Sequence, residues 1–305
     1  MTTRRHSLHG LVGLVGGLAA VAWPLAWAQT QDSSTRPLRV VASFSILADL
    51  VVNVGGPAVE VHALVGRDAD AHVFQPAPAD VKRVAQADLV VVNGLHYEGW
   101  LTRLVQTAGF KGPVLVCSDG LTPRRLGKDA DPHAWQDLAS ARHYVARIRD
   151  ALVQARPAQA DALRRRASDY TAQLDALDRQ TRADFAALPA DRRRVVSTHD
   201  AFGYFAAAYG IEFLAAQRWS TDSEPSAADV ARLIRQLRQQ RAAALFAENI
   251  ADPRLMQRIA KESGAVVGGT LYSDALSAPG TAADTYLKLF RHNAQTLLAG
   301  LRRSP

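Results

Sequence analysis

Two series of short apolar runs alternating with helix-forming stretches stand on either side of a segment, 158–187, that holds neither glycine nor proline. In the first series, 38–44, 59–65, 88–92 and 114–117 read as buried strands. Helices are expected after Ser45, which can cap, near Pro78, over 98–108 and from Asp137. In the second, strands are expected at 194–197, 211–215, 243–247 and 265–267. Helices fall at 201–209, at 225–239, after Asp252-Pro253 and over 281–298. Parallel neighbours need a long crossover, so each series implies a mostly parallel sheet. The fold class is α/β: two βα sandwich lobes joined by one long rigid helix.

Within the intervening segment Leu163, Tyr170, Leu174 and Leu177 recur at helical spacing. A helix of about 27 residues spans roughly 40 Å, enough to pass from one lobe to the other. The 305 residues exceed what one core usually supports. The expected division is an N-terminal lobe at 36–157, a linking helix at 158–188 and a C-terminal lobe at 192–303. Residues 1–28 read as a signal peptide. Arg4 and Arg5 precede an apolar run, and Ala26-Trp27-Ala28 offers a cleavage site before Gln29. The paired arginines also fit a twin-arginine signal.

Export to a periplasm follows, with no lipid anchor expected, because the sole cysteine, Cys117, is far from the cleavage site. Two units of the formal +7 belong to the leader. The remaining arginines are scattered on helices without interleaved aromatics, which argues against a nucleic-acid partner.

Four residues lie beyond strand-like runs and can converge where an open α/β sheet binds its ligand: His72, His133, His199 and Asp274. Three imidazoles and a carboxylate make a metal site. Nitrogen-rich ligation favours Zn(II), whereas a bidentate Asp274 would make Mn(II) more comfortable. His96 follows a strand but sits in a loop-like block, His62 falls in a strand, and His143 and His292 fall on helices. Glu224 and Glu248 are candidates to orient a ligand or cap a helix, and Asp200 can cap the helix after His199. Trp100, Trp135, Phe202 and Tyr204 are expected as walls of the site.

Asp70-Ala71-His72-Val73-Phe74-Gln75-Pro76, Asn93-Gly94-Leu95-His96-Tyr97-Glu98-Gly99-Trp100, Asp131-Pro132-His133-Ala134-Trp135 and Thr198-His199-Asp200-Ala201-Phe202-Gly203-Tyr204-Phe205 resemble motifs of the zinc/manganese solute-binding proteins of ABC importers. Ser223-Glu224-Pro225-Ser226, Phe246-Ala247-Glu248-Asn249 and the stretch 271–277 around Asp274 continue the likeness. The resemblance implies a monomeric receptor that holds one ion in the interlobe cleft through those four residues. It would hand the ion to a permease driven by a cytoplasmic ATPase, with little hinge motion. Ala71 stands where a proline is common, and 121–130 is short and free of histidine where many zinc members carry a histidine-rich loop. Zn(II) is the expected ion, with Mn(II) or Fe(II) as the alternative. No catalysis is expected. A periplasmic zinc hydrolase using Asp200 or Glu248 as base, or a metal chaperone, are the competing readings, and no His-Glu-x-x-His helix supports the former.

Overall fold

The computed structural model describes residues 36–240 and 244–303, so the expected leader lies outside the described residues. The first half comprises β1 (Leu38–Phe44), α1 (Ser45–Gly55), β2 (Val59–Val65), α2 (Pro78–Ala85), β3 (Leu89–Val92), α3 (Leu101–Thr107) and β4 (Val114–Val116). A short hairpin of β5 (Arg125–Leu126) and β6 (Asp129–Ala130), then α4 (Leu138–Ala155), complete it. After α5 (Ala160–Ala186) come β7 (Arg194–Ser197), α6 (Gly203–Tyr209), β8 (Glu212–Ala215) and α7 (Ala227–Gln240). The chain ends with β9 (Ala244–Glu248), α8 (Arg254–Ser263), β10 (Val266–Leu271) and α9 (Tyr286–Arg303).

Both sheets are parallel, in the orders β2-β1-β3-β4 and β10-β9-β7-β8. Each therefore has its second strand on one side of its first and its third strand on the other. That reversal opens a crevice beyond the carboxyl ends of β1 and β3, and of β7 and β9. Strands covered on both faces read as continuous apolar runs: β3 and β9 are buried throughout.

One apolar core, including Phe44, Trp135, Leu174, Phe205, Phe246 and Phe290, runs between the two sheets. Smaller clusters lie under α2 and α3 on one outer face and under α7 and α8 on the other. Helix α5 buries Leu163, Ala167, Tyr170, Leu174, Leu177, Thr181 and Phe185, all three or four residues apart. It packs against α1 and α4 on one side and α6 and α9 on the other, which makes it the tie between lobes. Among the described residues no helix is long and apolar enough to cross a membrane.

Several expected elements shift, each for a local reason. Ser45 does not cap α1. It is the first helical residue, and its Oγ accepts the Leu276 N–H at 3.0 Å. Helix α3 starts after Glu98, whose carboxylate is drawn inward to accept from Ser43 Oγ (2.6 Å) and the Asn93 N–H (2.7 Å). Strand β10 extends past 267 through Gly268 and Gly269 to Leu271. A Cβ at Gly268 would stand 2.6 Å from the Phe246 ring, so glycine lets the strand run over that side chain. Helix α9 begins at Tyr286 rather than 281, where Thr285 accepts the Lys288 N–H (3.3 Å) and Asp49 of α1 accepts the Tyr286 N–H (2.9 Å). Helix α6 starts at Gly203 with no side-chain cap, so Asp200 does not cap it.

Candidate metal centre

His72 lies in the loop between β2 and α2, fixed on both sides by its neighbours. Asp70 Oδ1 accepts the His72 N–H (2.9 Å), and Trp100 Nε1 donates to the Ala71 carbonyl (2.8 Å). The ring meets Tyr97 edge-on at 4.8 Å and Trp219 at 5.9 Å between centroids.

His133 follows β6 in a turn stiffened by Pro132, whose carbonyl accepts from Asn93 Nδ2 at 2.9 Å. The same Asp131 oxygen, Oδ1, accepts the His133 N–H and lies 3.0 Å from its Nδ1. A carboxylate only accepts, so Nδ1 carries the proton and the Nε2 lone pair is left free.

His199 follows β7. Glu248, at the end of the adjacent β9, treats it in the same way: Oε1 accepts the His199 N–H (2.9 Å) and Oε2 lies 2.6 Å from Nδ1. Asp274 follows β10, and its side chain is completely buried.

These four side chains meet. One donor atom from each lies within 4.8 Å of all the others, and the side chains are only 0% to 2% exposed. Asp274 Oδ2 is 3.1 Å from His72 Nε2 and 3.4 Å from His199 Nε2, while Oδ1 is 3.8 Å from His133 Nε2. None of these five atoms has a hydrogen-bond partner.

Charge is concentrated here. Burial works against a protonated His199, yet the Glu248 and Asp274 carboxylates prevail and hold it well above the usual imidazole range. Burial likewise opposes an ionised Asp274, but His199 and His133 keep it well below the usual carboxylate range. Burial, then the Asp274 charge, push the Tyr97 phenol far up, so it stays neutral beside the cluster.

The other histidines weighed from the sequence lie elsewhere. His96 is exposed with positive φ, His62 is exposed, His143 Nε2 contacts the Asp119 carbonyl and His292 Nε2 the Thr270 carbonyl. Glu224 is exposed and, with Asp200, lines a cavity of about 840 Å³ under 214–236. Trp135 packs edge-on against His133, and Tyr204 donates to the Asp131 carbonyl (3.1 Å). Sequence reasoning missed Asp131, Tyr97 and Trp219. Asp131 had a usable signal, a carboxylate two residues before a histidine with proline between.

The family model described as ZnuA, zinc-uptake complex component A, periplasmic, matches residues 40–300. The chain is 34% identical over 280 residues to the manganese-binding lipoprotein MntA of Bacillus subtilis, covering 88% of this chain and 92% of that one. It is 30% identical over 286 residues to the manganese ABC transporter substrate-binding lipoprotein PsaA of Streptococcus pneumoniae, covering 90% and 92%. Among solved structures it resembles the periplasmic zinc-binding protein TroA of Treponema pallidum, with a TM-score of 0.84, 31% identity and coverage of 87% and 99%. A manganese-bound periplasmic metal-binding protein from candidatus Liberibacter asiaticus gives a TM-score of 0.79 at 28% identity, with coverage of 87% and 99%.

Proposed function

Because the chain belongs to the ZnuA family of periplasmic zinc-uptake components, we propose that it is a receptor that captures one divalent ion and delivers it to an ABC-type importer. His72, His133, His199 and Asp274 hold the ion, and the ion is Zn(II). The observation that carries this reading is the convergence of five buried, unpartnered donor atoms from four distant stretches of chain. Leaving a buried polar atom unpaired costs about 1–3 kcal/mol, and a cation answers all five at once.

Three imidazole nitrogens and one carboxylate match zinc chemistry. A tetrahedral zinc with bonds of about 2.0–2.1 Å needs donors roughly 3.3 Å apart. The His72–Asp274 and His199–Asp274 separations of 3.1 and 3.4 Å are close to that. A second reading, Mn(II), has its own support. Both Asp274 oxygens face imidazoles, which suits bidentate binding by a larger oxygen-seeking ion, and the relatives MntA and PsaA are named for manganese.

Catalysis is not part of the proposal. A hydrolytic zinc keeps one position open for water beside a free base, whereas here a fourth protein ligand fills the set and Glu248 is engaged by His199. The test is metal analysis of untagged protein followed by competition titration with zinc and manganese. One bound equivalent and displacement of Mn(II) by Zn(II) are expected. Absence of bound metal at one equivalent would overturn the receptor reading, and retention of Mn(II) against equimolar zinc would overturn the choice of ion.

A further inference from the structure

We propose that residues 273–286, the strap that carries Asp274, belong mechanically to the N-terminal lobe, so that His72, His133 and Asp274 stand as a three-ligand half-cage before the ion arrives and His199 closes it. The inference rests on the metal-receptor reading above and says how that site is loaded.

The strap follows β10 of the C-terminal sheet, yet the first half of the chain holds it. The Ser273 carbonyl accepts from Trp135 Nε1 (2.8 Å) and Gln136 Nε2 (2.7 Å). Leu276 is gripped at both backbone atoms: its N–H donates to Ser45 Oγ (3.0 Å), and its carbonyl accepts the Asp68 N–H (2.9 Å). Arg67 Nη1 donates to the carbonyls of Ser277 (2.7 Å) and Asp284 (2.8 Å). Asp49 accepts the Tyr286 N–H (2.9 Å), and the Tyr286 hydroxyl donates to the Trp135 carbonyl (2.5 Å). Leu276, Ala283 and Tyr286 are fully buried in the core that runs between the two sheets, so it is the polar bonds above that tie the strap to the first half. From β9 and its following turn, only Asn249 Nδ2 reaches the strap, at 3.3 Å from the Ala275 carbonyl.

His199 is anchored the opposite way. Its backbone and ring are held by Ser197 and Glu248, both in the C-terminal sheet, and it meets the N-terminal half through ring contacts with His72 and His133. Nearby, the C-terminal half reaches across by single side chains. Tyr204 contacts Arg124 and Asp131, Thr221 donates to Asp70, and Asn249 donates to Asp68.

Bonds made to buried backbone groups and closed over by apolar packing break only together, whereas separate side-chain bonds at loop ends break one at a time. If the site opens, the strap stays with His72 and His133. The conformational step of capture is then confined to the turn around His199, and Arg67 is a positioning residue that acts through Asp274.

Amide hydrogen exchange of the full mature chain, in chelator and with Zn(II), tests this. The bonded amides of Leu276, Ser277, Ala283 and Tyr286 should exchange equally slowly in both states, while 198–202 slow when zinc is added. Rapid exchange of those four amides in chelator, slowing together with 198–202, overturns the proposal. In Arg67→Gln, zinc should pass to a chelator about tenfold faster, with altered Co(II) visible bands, and Arg67→Lys should recover most of both. An unchanged release rate and spectrum in Arg67→Gln also overturn it. Failure of the unmodified chain to bind zinc sinks the receptor reading itself, whereas binding with an opening strap sinks this inference alone.

Discussion

An imidazole can give a metal one nitrogen only if its other nitrogen is held in the right protonation state, and here two carboxylates do that. Asp131 and Glu248 each accept the backbone N–H of their histidine and face its Nδ1, fixing ring direction and tautomer together. An asparagine at 131 could turn its amide N–H toward Nδ1, which would favour a proton on Nε2 and block the lone pair. Asp131→Asn should therefore weaken zinc binding by about 10- to 100-fold in competition with a chromophoric chelator, with Glu248→Gln losing a comparable amount. Unaltered affinity in both variants would show that the carboxylates merely fill space. The four nominated side chains could be read from sequence because each follows a strand in a fold that binds ligands beyond strand ends. Glu248 could be nominated but not paired, since its place beside His199 depends on β9 lying next to β7. Asp131 was hidden for another reason: its second role requires the Asp-Pro-His turn to fold back so that one oxygen serves two nitrogens of the same residue.

At the scale of elements, alternation and helical spacing made both sheets and α5 legible, because burial on two faces leaves an uninterrupted apolar run. Boundaries set by distant partners were not. Ser45 looked like a local cap and instead bonds Leu276, and α9 takes part of its N-terminal satisfaction from Asp49, remote in sequence. Asp49 carries a testable consequence. Burial raises its pKa from 3.8 to about 6, despite the opposing Tyr286 N–H and Arg67. The folded protein thus holds this proton more tightly than the unfolded chain. Its contribution to stability is fully present below about pH 4 and is lost as pH rises through about 6. Asn can still accept the Tyr286 N–H through its amide oxygen but cannot ionise. In chelator, Asp49→Asn should flatten that part of the stability profile and gain on the order of 1–2 kcal/mol above pH 6, allowing for the part of the carboxylate that still sees water. Denaturant melts of both proteins at pH 4.5 and 7 measure it, and a parallel profile in the variant would refute the assignment.

For the whole molecule, one core runs from the first sheet through α5 and α9 to the second, so the lobes share apolar packing rather than meeting across a solvent gap. Large hinge opening would expose that core, and capture is better served by small local movement. On the proposed reading, the ion acts as a cross-link between halves that are already docked. Because the four ligands come together only in the folded chain, zinc should bind the native state and stabilise it by about 4 kcal/mol at a thousand-fold excess over its dissociation constant. For a protein of this size that is a rise in melting temperature of roughly 10 °C. His199 must lose its proton to bind, and Glu248 and Asp274 hold that proton on well above the usual imidazole range, so protons compete with the ion and the zinc-induced rise should shrink as pH falls from 7.5. Calorimetry with and without zinc at pH 7.5, 6.5 and 5.5 reads this directly. Asp274→Ala should abolish the rise at every pH, since it removes the one ligand that touches all three histidines. A zinc-induced rise that survives in Asp274→Ala, or that is the same at pH 5.5 as at 7.5, would place the bound ion on other groups.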